Sequence, residues 1–422
     1  MKTMYKQVTG IILILFVLAG FTPVQSKDNT HYTSVSGVVK DKRSKKKLEF
    51  VSITIPGTNI GTITNSDGEF TLKVKDSLQA KIVEVSHIGY ANYQIPLTGE
   101  DIENTTVFLT ANTKLLDEVV VNTMDPIDLI RTAISKKGDN YSDKPTLLTG
   151  FYRETVQKRR NFINISEAII DIYKTSYDNQ FNNIDLDRVQ VFKGRQLLSI
   201  KPSDTLAVKF QGGPTLSTYA DIVKNPDLIL DIETLSFYKF KMEDPAMINE
   251  RPHYVVSFAP QVVLPYALYY GKLYIDKQSL AFSRAEFSLS MDNRNKVTQA
   301  ILKKKPYKLQ FKPEEVSFLV TYNLRDGRSY LNYIRNTVRF KCDWKKKWIF
   351  STGYTIVSEM VVTDGKAGNV NNIPNKLAFK QNQALSDKVS NFYDENFWED
   401  YNIIEPTESL ENAVSKLRKQ YK

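Results

Sequence analysis

Phe50 to Val74 reads FVSITIPGTNIGTITNSDGEFTLKV, and Ile82 to Tyr90 reads IVEVSHIGY. Short runs rich in Val, Ile and Thr alternate with Gly, Asn, Asp and Pro. Apolar side chains at every second position suit strands with one buried face, and the punctuating residues supply the turns. From Ser34 to Leu109 this rhythm predicts about seven strands, near 35–40, 50–55, 60–64, 69–75, 82–86, 91–95 and 106–110. Asn65-Ser66-Asp67-Gly68 reads as a tight hairpin turn in which Gly68 takes the positive φ. Asn65, Asp67 and Glu69 also invite a calcium-loop reading, but no further carboxylate follows at the spacing such a loop needs. The expectation over 34–112 is a small all-β sandwich.

Working outward, Lys2 and Lys6 precede an apolar run, Ile11 to Phe21, and Val24-Gln25-Ser26 places small residues where a cleavage site needs them. Residues 1–26 therefore read as a signal peptide. The run is shorter than the roughly 20 residues of a membrane span. No Cys follows it, so the expectation is an exported protein, periplasmic or outer-membrane-associated, and not a lipoprotein. The rest of the 422 residues is too long for one sandwich, so a second domain is expected. The formal net charge is +10. The basic residues are spread out, apart from Lys45-Lys46-Lys47 and Lys345-Lys346-Lys347. Nucleic acid is not an expected partner; an anionic headgroup or polysaccharide fits this balance better. Cys342 is the only cysteine, so an internal disulfide is excluded. Its alternation with Val338 and Phe340 reads as a buried apolar position.

Residues 113–140 read as a linker strand and a helix. Asp125 caps that helix, Pro126 suits its first turn, Ile127, Ile130 and Ile134 share a face, and Gly138 stops it. From Leu147 the pattern changes to long alternating strands, among them Leu268 to Asp276, Leu280 to Ser290, Val316 to Leu324, Arg328 to Trp344 and Trp348 to Val362. Most exceed the usual five or six residues and are joined by short turns such as Asp276-Lys277-Gln278-Ser279 and Asp326-Gly327. They predict a large curved antiparallel sheet over 141–404, an open half-barrel with few helices. Ile163 to Tyr173 fits either a helix or a strand, and its β-branched content favours the strand. Pro214 to Lys224 is a helix candidate. Residues 405–422 form a final helix capped by Thr407, with Leu410, Val414, Leu417 and Tyr421 as a docking stripe.

The sandwich pattern resembles the carboxypeptidase regulatory-like domain, a prealbumin-type fold. The resemblance rests on Gly37-Val38-Val39, Leu48 with Val51-Ser52-Ile53, Ile55-Pro56-Gly57-Thr58, Gly61-Thr62, Thr64 with Asp67-Gly68, Phe70, and Val85 to Tyr90. It departs at Asn65, where the family often has Asp, and in the Lys-rich turn from Arg43 to Lys47. The resemblance implies a module without catalytic residues. In many Gram-negative outer-membrane receptors it precedes a TonB-box segment. Asp117, Glu118, Val119, Val120 and Val121 resemble such a box, and an extended acidic-then-valine segment is suited to adding a strand to a partner's sheet edge. The implied partners are outer-membrane or periplasmic proteins, with a TonB-type transducer among them. The alternative is an internal linker strand. The second region weakly resembles periplasmic lipoprotein-carrier half-barrels, through its strand ladder and Tyr270 to Asp276. Asn396 to Asn402 resembles a recurrent C-terminal motif of exported proteins with this domain pairing, which implies that the chain is complete there.

Catalytic signatures are missing. His31, His87 and His253 are far apart, and no zinc motif, Cys cluster, Walker loop or G-x-S-x-G elbow occurs. Gln211-Gly212-Gly213-Pro214 reads as a turn. No cofactor is expected. Arg153, Glu154, Glu167 and Asp171 lie on two segments that pair if both are strands. They read as ordinary cross-strand pairs, a polar ligand cluster, or the carboxylates of a glycan-acting hydrolase. Tyr266, Tyr269, Tyr270, Tyr274 and Phe282 fill a core or line a lipid or glycan site, with Tyr270 and Tyr274 the chosen ligand contacts. The expected function is a non-enzymatic envelope binding or assembly accessory. The alternatives are a lipid or lipoprotein carrier, which needs an apolar cavity, and the hydrolase.

Overall fold

The computed structural model describes residues 31–112, 124–178, 187–344 and 351–421, apart from positions 205, 207, 211, 381, 382, 384, 386, 387, 390–396 and 399. The signal peptide and the Asp117–Val121 segment lie outside the described residues. Among the described residues, no helix is long and apolar enough to cross a membrane.

Seven strands build the N-terminal sandwich: β1 (Tyr32–Asp41), β2 (Ser52–Thr54), β3 (Gly61–Ile63), β4 (Glu69–Lys75), β5 (Ile82–Ser86), β6 (Tyr93–Pro96) and β7 (Ile102–Leu109). They form two sheets, ordered β4-β1-β7 and β3-β2-β5-β6. Alternation does the work: Val35, Val39, Ile53, Phe70, Leu72, Val83, Val85 and Val107 are buried between the sheets. Gly68 takes φ +71° in the β3–β4 turn, where Asn65 Oδ1 accepts from the backbone N–H of Asp67 and of Glu69. Asn65 and its neighbours thus form turn chemistry. Among the described residues no cluster suited to a metal ion occurs.

Helix α1 (Pro126–Ser135) follows, with Asp125 Oδ1 accepting from the Ile127 N–H at 2.7 Å. Leu129, Ile130 and Ala133 are its buried residues, so the core-facing stripe is rotated from the expected Ile127 edge. Gly138 does not end the helical region; it sits within a further turn, α2 (Lys137–Asn140).

The second domain is one ten-stranded antiparallel sheet. Its strands are β8 (Thr146–Lys158), β9 (Asn161–Lys174), β10 (Arg188–Leu198), β12 (Tyr238–Ile248), β13 (Arg251–Pro260), β14 (Tyr269–Asp276), β15 (Phe282–Leu289), β17 (Leu309–Arg325), β18 (Arg328–Trp344) and β19 (Thr352–Ala367). The order β10-β9-β8-β19-β18-β17-β15-β14-β13-β12 leaves β10 and β12 as unjoined edges, so the sheet is open. Ile163 to Tyr173 is strand, as its β-branched content predicts. One face of the sheet carries the main core, including Tyr152, Ile170, Leu273, Phe287, Val320 and Ile334. Across that face lie β11 (Lys209–Phe210), paired with β16 (Leu302–Lys304), and helices α3 (Pro214–Tyr219) and α4 (Arg294–Ile301). Helix α4 was not anticipated: its eight residues carry one buried side chain, Val297, too little to mark a period.

A buried ionic group pins this core. Asp221 is 0% exposed and Lys174 1%. The Lys174 ammonium lies 2.9 Å from Asp221 and 2.8 Å from Asp187. The hydroxyls of Tyr177 and Tyr322 each donate to Asp221 at 2.6 Å.

The sandwich rests on the opposite face of the sheet. Ile63 and Phe50 join Phe151, Ile169, Tyr333, Val361, Trp398 and Ile404 in a separate apolar cluster. A strap from 400 to 408 binds both domains. Asn402 bonds both the N–H and the C=O of Lys73, as a neighbouring strand does. Thr62 donates to the Ile403 carbonyl, and Arg153 to the Ile404 carbonyl at 2.8 Å. The strap leads into α5 (Glu408–Arg418), capped by Thr407, whose Leu410 and Leu417 pack on Ile165 and Leu197. The C-terminal helix therefore docks against the sheet, as its stripe predicts.

His87 sits in this interface beside Ile248, Ser283 and Arg284. Burial pushes its imidazole down to about 4, and the Arg284 charge adds to the effect. The folded protein keeps His87 neutral, whereas the unfolded chain takes up a proton near 6.5. That contribution to stability is complete above 6.5 and is lost as pH falls from about 6.5 to about 4. Urea midpoints at pH 7.5 and pH 5 are expected to differ more for the wild type than for His87→Gln. Equal differences would remove His87 from the account.

Candidate ligand site

Period-two alternation assigns each strand residue to one face. On β8, Tyr152, Glu154 and Val156 point to the concave side, and Arg153 to the side covered by the sandwich and strap. The concave side holds a cavity of about 550 Å³ between the sheet and the layer formed by β11, α3, α4 and β16. Its aromatic end is Tyr269, Phe287 and Phe318, with Phe287 and Phe318 stacked at 4.9 Å. Its other end is aliphatic, with Val156, Leu206, Val208, Val338 and Ile356 beside Phe210.

Asn164, Lys303 and Gln383 also line the cavity, and one connected polar cluster interrupts its apolar wall. The Tyr152 hydroxyl donates to Glu154 Oε2 at 3.0 Å. Asn336 Nδ2 donates to Ser217 Oγ at 3.1 Å and to Ser358 Oγ at 3.2 Å. Burial, reinforced by the Glu154 charge, raises the Tyr152 hydroxyl well above the usual phenol range, so it stays a neutral donor. Asn336 Oδ1 is buried without a hydrogen-bond partner among the described residues. The cluster therefore adds buried polar groups to the wall of a largely apolar space. Gly213, with φ +85°, starts α3 above it. A Cβ there would lie 2.7 Å from the Phe379 ring. Within the glycine-rich run, Gly212–Pro214 is thus a helix entry packed against a ring, its helix is six residues long, and Gln211 lies outside the described residues.

The expected polar cluster of Arg153, Glu154, Glu167 and Asp171 is divided. Arg153 and Glu167 are register partners and bond at 2.7 Å, both almost fully buried under the strap. Arg195 lies 2.8 Å from the other Glu167 oxygen. Burial pushes the Glu167 carboxyl up, but the two guanidiniums outweigh it and hold it below the usual value. Asp171 accepts from Thr149 at 3.1 Å, and burial raises it. Glu154 faces the cavity on the other side of the sheet. The four residues do not converge, and the carboxylates lack the shared cleft that paired glycosidic catalysis needs.

The two chosen tyrosines do not line this cavity. Tyr270, 47% exposed, and Tyr274, 7% exposed, lie on the face of β14 away from the cavity. Tyr274 donates to Glu286 at 3.5 Å. The cavity-facing residue is Tyr269, and Phe282 is packed in the core. A shift of one position inverts the face of every side chain on a strand. The signal that finds Tyr269 is the phase of its buried partners Leu273 and Ile275. Tyr152, Ser217, Asn336 and Ser358 carried no signal, because four separate elements bring them together. Elsewhere, the Cys342 thiol is pushed up to about 12, first by burial, opposite to an activated thiol.

Residues 35–121 match the CarboxypepD_reg-like domain family. A TonB-dependent receptor SusC from Bacteroides thetaiotaomicron is 38% identical over 88 residues, 21% of this chain and 8% of the receptor. A TonB-dependent receptor P3 from Formosa agariphila is 26% identical over 146 residues, 34% of this chain and 14% of the receptor. The chain thus aligns with only a small part of each receptor's length. Among solved structures, a domain assigned to outer membrane lipoprotein sorting from Vibrio parahaemolyticus aligns at 11% identity. It covers 58% of this chain and 94% of its own, with a TM-score of 0.27.

Proposed function

We propose that this chain is an exported, non-enzymatic accessory protein of the cell envelope that holds an apolar ligand, an acyl chain, in the concave cavity. The observation that carries this is the cavity itself. Its volume of about 550 Å³ falls within the roughly 300–1,000 Å³ of small-molecule sites. Its lining is mostly aliphatic and aromatic, with one polar cluster and Asn164, Lys303 and Gln383 besides. Each methylene buried there contributes roughly 0.8 kcal/mol. A glycan needs many hydrogen-bonding groups, and this lining offers few, so a lipid is favoured. The separation of Glu154 from Glu167 supports a binding rather than a hydrolytic role. Native extraction of the purified protein followed by mass spectrometry is expected to recover acyl-chain species above background. Recovery of nothing would remove the acyl-chain reading.

The sandwich supports an envelope setting through its likeness to segments of TonB-dependent receptors. We infer a protein partner of that transport class, contacted by Asp117 to Val121 through strand addition. Deleting Asp117–Val121 is expected to abolish a pull-down with the C-terminal domain of a TonB-type transducer. Unchanged capture, or none by the intact protein, would count against that contact.

A further inference from the structure

A second hollow, of about 600 Å³, opens at the rim of the sheet. Its walls are the end of the β8–β9 hairpin, the segment 199–204 that crosses the rim from β10, and one side of α5. Lys158, Arg159, Arg160, Lys201 and Lys416 line it, and among the described lining residues Asp204 is the only carboxylate. Asp204 is already engaged: Ser199 donates to it at 2.7 Å and Lys158 at 3.3 Å. The other four cations form no ion pair with a described carboxylate. Like charges gathered in one hollow repel, and an anion placed among them relieves that repulsion. Arginine forks suit phosphate oxygens in particular.

This hollow adjoins the apolar cavity. Val156 lines the cavity, and Lys158, two residues on and on the same face of β8, lines the hollow. Asp204 belongs to the hollow and Leu206, two residues on, to the cavity. At about 3.3 Å per strand residue, the two linings are less than about 7 Å apart along β8. The aliphatic end of the cavity, not its aromatic end, faces the cations.

We propose that the two form one site for an anionic amphiphile, with the acyl chain in the cavity and a phosphate-bearing headgroup among Arg159, Arg160, Lys201 and Lys416. This rests on the acyl-chain reading above and adds the headgroup class. The test is calorimetry on the full chain at low ionic strength. The probes are lysophosphatidylglycerol and lysophosphatidylcholine with the same acyl chain, below micelle-forming concentrations, and inorganic phosphate alone. The anionic amphiphile is expected to bind about tenfold or more tightly than the zwitterionic one. That preference is expected to vanish in Arg159→Ala/Arg160→Ala/Lys201→Ala, with lysophosphatidylcholine, whose phosphate is offset by its own ammonium, weakened far less. Equal wild-type affinities, or a preference that survives the triple substitution, would overturn the headgroup assignment while leaving the cavity reading standing. Inorganic phosphate binding as tightly as the anionic amphiphile would replace it with a simple anion site. Binding of neither amphiphile would sink the cavity reading and the proposal together.

Discussion

Asp221→Ala is expected to lower the unfolding free energy by about 3–5 kcal/mol, the usual cost of removing one partner from a buried ion pair. Asp221 is fully buried and accepts from Tyr177, Tyr322 and Lys174. Its removal strands two phenol hydroxyls and half the charge compensation of Lys174, which Asp187 alone cannot replace. Burial pushes the Asp221 carboxyl up, but the Lys174 ammonium and the tyrosine hydroxyls outweigh it and hold it below 3.8. A lowered carboxylate contributes fully above its unfolded value and loses that contribution as pH falls through the folded one. The wild-type advantage over Asp221→Ala is therefore expected at neutral pH and should shrink only below about 4. Urea unfolding at pH 7 and pH 3 measures both effects. A loss below about 1 kcal/mol at pH 7 would put the group's net worth near that of a surface pair.

Val338→Trp is expected to empty the cavity of ligand while the protein stays folded. Val338 is half-buried in the middle of β18 and faces the cavity beside Ile356 and Phe210. An indole at that position enters space that already exists, so the stability cost should stay within the roughly 1–3 kcal/mol of ordinary overpacking. Displacing about four methylenes, at roughly 0.8 kcal/mol each, weakens ligand binding by about two orders of magnitude. The paired measurement is the extracted acyl-chain yield and the urea midpoint. If the variant unfolds, the concave face is packed rather than hollow. If it stays folded and retains ligand, the ligand sits elsewhere.

The sandwich was legible because its signals are local. Gly68 and Asn65 mark a turn whatever follows, and Val51, Ile53 and Val83, Val85 keep their period within a few residues. The long strands were legible for the same reason, as was the open sheet they build. The site was not. A strand's period fixes which residues share a face but not which face meets the cavity, so the chosen Tyr270 and Tyr274 lie on the face away from the cavity that Tyr269 lines. Pairing also says nothing of sides: Arg153 and Glu167 meet because β8 and β9 are neighbours, while Glu154, one residue away, turns to the opposite face. The Asp221 group draws on Lys174, Tyr177, Asp187 and Tyr322, up to 148 positions apart, and only the closed fold shows that their charges cancel.

The strap sets an order of events. The sandwich has a core drawn wholly from residues between Val35 and Leu109, so it has the means to fold as soon as those residues are available. Its seat on the sheet depends on Thr62 meeting Ile403 and Asn65 meeting Pro406, contacts 341 positions apart, and on Trp398 and Ile404 filling the apolar cluster around Ile63. Contacts of such separation close late, because the intervening chain must be ordered first. As the chain emerges N-terminus first into the compartment where it folds, the first domain therefore waits, folded but unseated, until nearly the whole of the second has followed. In that interval Phe50 and Ile63 face solvent, and a chaperone or a neighbouring chain has its best opportunity to bind.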